Sequence, residues 1–213
     1  DDRLKAEIEF ENKLRALIAC LLPLSLPAMA NASTCRVERF EGVPFTLCEV
    51  TAADDLRLFL KDSSGANLGS FRAINQALAA EGKELGFAMN AGMYHRDLSP
   101  VGLYVEEGQE VSGIVTSDGP GNFGLLPNGV FCIGETFRVI ESRAFKEDRP
   151  ECRFATQSGP MLVIKGDLHP KLLPESDSIY VRNGVGVSAD GTRAVFAISN
   201  APVNFHAFAR FFR

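Results

Sequence analysis

Tryptophan is absent from the 213 residues and tyrosine occurs 3 times. That argues against a lectin built on exposed indole platforms. Any sugar stacking falls to some of the 16 Phe or to Tyr94, Tyr104 and Tyr180. Histidine also occurs only 3 times, without His-x-x-x-His spacing, and no Cys-x-x-Cys pair is present, so a zinc site has no support. No block of Lys and Arg offsets a net charge of -5, which excludes the basic footprint of a general nucleic-acid binder. The glycine-rich run Asp118-Gly119-Pro120-Gly121-Asn122-Phe123 matches no Walker or dinucleotide fingerprint and opens no helix. The Gly-x-Ser-x-Gly elbow of serine hydrolases is missing. No repeat or low-complexity linker divides the chain.

What remains is the composition of a folded domain, 46% hydrophobic and 23% charged. Near the start, Lys13 and Arg15 precede the apolar run Ala16–Pro27 and the small-x-small end Ala28-Met29-Ala30. A basic start, an apolar centre and a small-residue end are the parts of a secretory signal peptide. The run is too short for a permanent membrane span. Residues 1–30 therefore read as a signal peptide with an upstream extension, and 31–213 as the exported domain, periplasmic or extracellular. Without Cys20 the cysteines number four, Cys35, Cys48, Cys132 and Cys152, an even set suited to an oxidising compartment. Cys35–Phe40 and Val43–Cys48 flank Glu41-Gly42 like hairpin arms. The expected pairs are Cys35–Cys48 and Cys132–Cys152, from three formal connectivities.

Leu56–Leu60 alternates as a strand, and Ser70 caps a helix with Phe71, Ile74 and Leu78 on its apolar face. Strand character recurs at 110–116, 123–126, 129–133, 136–141, 154–157, 161–164, 185–188 and 194–199, between turn residues. Asn204 caps an amphipathic segment to Arg213. Many strands with few helices exclude a doubly wound βαβ protein. The fold class is α+β, a single domain with a mainly antiparallel or mixed sheet and a few flanking helices.

The centre of the chain is 87–105. Apolar runs Leu85–Met89 and Val101–Val105 read as strands around a polar loop with Asn90, Tyr94, His95, Arg96, Asp97 and Ser99. Gly92 and Gly102 allow conformations or close approaches that a Cβ forbids. Beside this loop, Ser158 ends a strand at Ser158-Gly159-Pro160, a sharp turn with amides for an anion. Arg182 precedes the glycine-spaced run Asn183–Val187, so its guanidinium is expected at a strand edge. A planar fork there suits phosphate or carboxylate. The plainer alternative is a surface ion pair with Glu175 or Asp177. His169 reads as a hairpin-tip residue and His206 as structural.

Together these segments resemble the exported bacterial phosphodiester-glycosidase domain family. The resemblance rests on Asn90-Ala91-Gly92-Met93-Tyr94, Ser99–Leu103, Gly121-Asn122-Phe123 and Pro127–Phe131, followed by Ser158–Leu162, Arg182–Gly186 and Pro202–Phe205. It runs from about Cys35 onward. That family includes the uncovering enzyme, which removes N-acetylglucosamine from a sugar-1-phosphodiester on mannose. The resemblance implies hydrolysis of a sugar-1-phosphodiester. It also implies a Leu-Asp-Gly type motif beyond the terminal helix, so the domain as given reads as truncated at its C-terminus.

A phosphate leaving group departs as a stable anion, so its stabilisation matters more than its protonation. Arg182 and the Ser158–Gly159 amides suit the phosphate, and Asn90 suits a sugar hydroxyl or the phosphate. Asp97 is the candidate carboxylate, with His95 as acid–base partner. Tyr94, Gly92, Gly159, Asn183 and Asn122 complete the set as substrate-binding positions. No cofactor is expected, and the motifs do not specify a metal requirement. The rival readings are a serine-type hydrolase using Ser158 and a non-catalytic envelope polysaccharide binder.

Overall fold

A computed structural model describes residues 34–213. The expected signal segment lies outside them. Strands β1 (Thr34–Phe40) and β2 (Val43–Thr51) form the foreseen hairpin. Glu41 and Gly42 at its turn both have positive φ, 50° and 81°, the twist that suits a tight antiparallel connection. Cys35 lies opposite Cys48 and bonds to it across a Cα–Cα distance of 4.1 Å. The second disulfide joins Cys132 to Cys152. Both are the expected pairs, so thiol titration of the denatured, unreduced protein should find none of these four sulfurs free. A reactive thiol at any of them would overturn the pairing.

The first sheet has the order β1-β2-β11-β10, where β10 is Asn183–Val187 and β11 is Arg193–Ser199. The second has the order β4-β3-β7-β5-β6, built from β3 (Tyr104–Glu106), β4 (Gln109–Ser112), β5 (Gly129–Ile133), β6 (Phe137–Glu141) and β7 (Phe154–Ser158). A short ribbon pairs β8 (Val163–Ile164) with β9 (Asp167–Leu168). Every ladder is antiparallel. The α+β class holds, with the strands divided between two main sheets.

Alternation along the strands explains how the sheets pack. Val50, Ala194 and Phe196 of the first sheet meet Phe131, Ile133 and Phe154 of the second in one shared core. The opposite face of the first sheet presents Phe45, Leu47 and Ala197 to helix α3 (Phe205–Phe212), which supplies Phe208. Gly184 and Gly186 make room for this helix. A Cβ at either position would lie 3.0–3.3 Å from the Phe208 or Phe212 ring. Burying a phenylalanine such as Phe208, 1% exposed, contributes roughly 1.5–3 kcal/mol. The outer face of the second sheet is covered by α2 (Ser142–Asp148) through Phe145.

Helix caps follow the sequence. Ser70 Oγ accepts from Ala73 N (3.2 Å) at the start of α1 (Phe71–Ala79), and Asn204 Oδ1 accepts from Ala207 N (2.8 Å) at α3. Helix α2 was not foreseen, because its cap is the carboxylate of Glu141, which reads as a strand end.

Three expected strands are absent. Leu85–Met89 pairs with no ladder; Phe87 and Met89 are apolar because they plug the core between the sheets. Leu56 and Leu58 do the same from 56–60. At Phe123 the chain makes a 3-10 turn, Asn122–Gly124, folded so tightly that a Cβ on Gly124 would overlap the Gly119 carbonyl. His169 is not a hairpin tip. It is 1% exposed, with Nε2 against the Leu126 carbonyl (3.2 Å) and Nδ1 accepting from Lys171 N (3.1 Å).

Candidate active site

The central stretch crosses from one sheet to the other. Asn183 Nδ2, at the start of β10, donates to the Asn90 carbonyl (2.9 Å). Two residues later, Gly92 N donates to Thr156 Oγ1 on β7 (3.0 Å). A Cβ on Gly92 would overlap the Gln157 carbonyl, so close approach is what this glycine supplies. Asn90 Nδ2 reaches the hydroxyl of Tyr94 (3.3 Å), whose ring is half exposed. Asn90, Gly92, Tyr94 and Asn183 are thus brought together beside the end of β7, where Ser158 is exposed.

That end of β7 is anchored by Gln157, 1% exposed. Its Oε1 accepts from Leu103 N (3.1 Å) and Val115 N (3.0 Å), and its Nε2 donates to the Val115 carbonyl (2.5 Å). Gly102 lies so near that a Cβ would overlap Oε1. Beyond Ser158 the Gly159 N–H meets no acceptor among the described residues.

Arg182 does not emerge at a strand edge as the sequence suggests. It is 7% exposed, folded back so that Nε donates to the Val203 carbonyl (2.9 Å) and Nη2 to the Ser178 carbonyl (2.6 Å). The guanidinium stacks on the Phe205 ring, 3.5 Å from its centroid, with Tyr180 at 5.6 Å. Neither Glu175 nor Asp177 pairs with it, and no carboxylate forms a salt bridge to it among the described residues. Burial pulls its pKa below the ordinary arginine value. Nη1 makes no hydrogen bond among the described residues. It is not among the fully buried atoms left without a partner, so it reaches the surface.

His95 and Asp97 lie farther out, at the tip of a hairpin closed by a Tyr94–Pro100 bridge and a bond from His95 N to the Ser99 carbonyl (2.8 Å). Asp97 Oδ1 accepts from Ser99 Oγ (2.6 Å) and Ser99 N (3.0 Å). The Ser99 hydroxyl, then its amide, holds this exposed carboxyl below the usual range. No hydrogen bond joins either side chain to Ser158, Asn183 or Arg182 among the described residues. Asn122 opens the 3-10 turn and Tyr104 is buried against Glu106, its hydroxyl 3.0 Å from Oε2. Burial raises the pKa of both Tyr104 and Glu106. No histidine hydrogen-bonds to Ser158 among the described residues, so the pairing a serine nucleophile needs is not formed.

Sequence reading missed Thr156, Gln157, Asn128 and Ser178. The usable signal was Thr-Gln inside the otherwise apolar run of β7, where polar side chains must find buried partners.

A family model described as phosphodiester glycosidase matches residues 83–213, which takes in the Asn90–Gly92 segment, the Ser158 turn and Arg182. The chain belongs to the phosphodiester glycosidase family. It is also 36% identical over 155 residues to the uncharacterized protein YigE of Escherichia coli (strain K12), across 72% of this chain. The chain spans 60% of that relative's length. The family match covers each polar segment that the fold gathers around Asn90.

Proposed function

We propose that the domain hydrolyses the glycosidic bond of a sugar-1-phosphodiester outside the cytoplasm. The observation that carries this reading is Arg182: a nearly buried guanidinium with no carboxylate partner among the described residues and with Nη1 left without a hydrogen bond there. Its charge is uncompensated beside the positive N-terminal end of α3, which favours a bound anion. A departing phosphodiester oxygen meets that charge as it becomes anionic, which lowers the barrier without a general acid on the leaving group. The Gly159 N–H is a second donor for the same phosphate. Asn90 and Asn183 offer amides that both donate and accept, as sugar hydroxyls require. Tyr94 flanks them with an exposed ring. On the exposed hairpin beyond, Asp97 is the candidate carboxylate for an oxocarbenium-like centre and His95 its candidate acid–base partner, roles that require this outward-lying hairpin to meet the bound sugar. The two disulfides suit the oxidising compartment that an export segment implies.

The test is to incubate the protein with a panel of sugar-1-phosphodiesters in oxygen-18 water and weigh the products. Label in the sugar is expected, because cleavage then falls between the anomeric carbon and its oxygen. Label in the phosphate would mean attack at phosphorus and a phosphodiesterase. Saturable glycan binding without any turnover would replace the enzyme with a polysaccharide-binding domain.

A further inference from the structure

Asn128 is 0% exposed, and its Oδ1 meets no donor among the described residues. The amide is not loose. Nδ2 donates to the Phe123 carbonyl (2.8 Å), which fixes which end is oxygen, and the Asn128 carbonyl accepts from Ser142 N (2.9 Å) at the start of α2. Oδ1 is therefore held against Gly159, so close that a Cβ there would overlap it. The Gly159 N–H has no acceptor among the described residues. An acceptor without a donor thus lies against a residue whose donor lacks an acceptor. No hydrogen bond joins the two, although they lie in contact. An orphan buried atom in a native fold calls for a physical reason. Here the reason is the direction of the Gly159 N–H.

We infer that Asn128 is the positioning residue of the Ser158–Gly159 turn. It locks that turn to the 3-10 segment carrying Asn122 and keeps the Gly159 N–H free to meet a phosphate oxygen. The inference rests on the anion role proposed above for this turn, and it adds the residue that builds the site. Because the side chain is wholly buried, it acts through Gly159 and never touches substrate.

The experiment is a titration of the isotopically labelled protein with inorganic phosphate, followed by nitrogen–proton NMR. In the unaltered protein the Gly159 amide should shift saturably, and the Asn128 side-chain NH2 should shift with it. In Asn128→Ser, phosphate binding at Gly159 is expected to weaken by roughly 10–100-fold, the worth of one hydrogen bond to a charged group. Gly159→Ala alone should fold poorly, and Gly159→Ala combined with Asn128→Ser should regain stability because the shortened side chain clears the new methyl. A silent Gly159 amide in the unaltered protein overturns the inference. So does Asn128→Ser binding phosphate within about threefold of it. Sugar-1-phosphodiester hydrolysis with a silent Gly159 amide would leave the glycosidase reading standing and remove only this inference; a saturable Gly159 response without hydrolysis would do the reverse.

Discussion

Arg182→Met should lower kcat/KM on a sugar-1-phosphodiester by roughly 10²–10³-fold, the effect usual for removing one preorganised donor from a developing oxyanion. Methionine keeps the stem packed beside Phe205 but removes the charge and the fork. Arg182→Lys restores the charge as a point and loses the planar stack on Phe205, so it should fall between the two. Both variants also leave carbonyls of Val203 and Ser178 with fewer donors, so thermal midpoints must be measured beside the kinetics. A structural role alone would lower the midpoint and leave kcat/KM of the folded fraction intact. Arg182→Met turning over within a few-fold of the unaltered protein would remove this residue from the phosphate.

Gln157→Leu should have the largest effect on stability. Leucine matches the buried volume but strands Leu103 N, Val115 N and the Val115 carbonyl. Each unpaired buried group costs about 1–3 kcal/mol, so the three imply a loss of roughly 3–9 kcal/mol, toward the low end because the two Val115 groups are only partly buried. That is a large share of the ~5–15 kcal/mol that holds an ordinary domain together. Relaxation offers little relief, because Gly102 and Phe123 already crowd the site. Urea denaturation measures the loss directly, and a shift under about 1 kcal/mol would mean that water replaces the amide.

Much of the architecture could be read from the chain, and for local reasons. The hairpin at Glu41-Gly42, β5 at Gly129–Ile133 and the caps at Ser70 and Asn204 are set by turn residues and by hydrogen bonds three residues away. Leu85–Met89 misled because apolarity reports burial and not pairing. That segment is buried by being sandwiched between sheets, a position that only the tertiary fold creates. Arg182 misled for a related reason. The ring it stacks on and the carbonyls it meets lie up to 23 residues away, so its inward turn has no local mark. Asn128 and Gln157 look like loop polarity in one dimension, and become anchors only when β3, β5 and β7 are assembled. His95 and Asp97 are close to Asn90 in sequence, yet the hairpin closed by the Tyr94–Pro100 bridge carries them outward at its turn.

The Asn90–Gly92 segment has a mechanical consequence. Tied at one end to β10 and at the other to β7, it works as a cross-stay between two plates that also share an apolar core and a bond from Phe137 N to the Gly191 carbonyl (2.8 Å). Shear of one plate over the other at this point must stretch the Asn183–Asn90 or the Gly92–Thr156 hydrogen bond. A ligand that grips both Asn90 and the Ser158 turn therefore adds a second stay in parallel, and the assembly it stiffens is the whole sandwich. Deuterium uptake at the Gly92 amide becomes a strain gauge for that motion, slowing when such a ligand is bound and quickening when Asn183 is shortened.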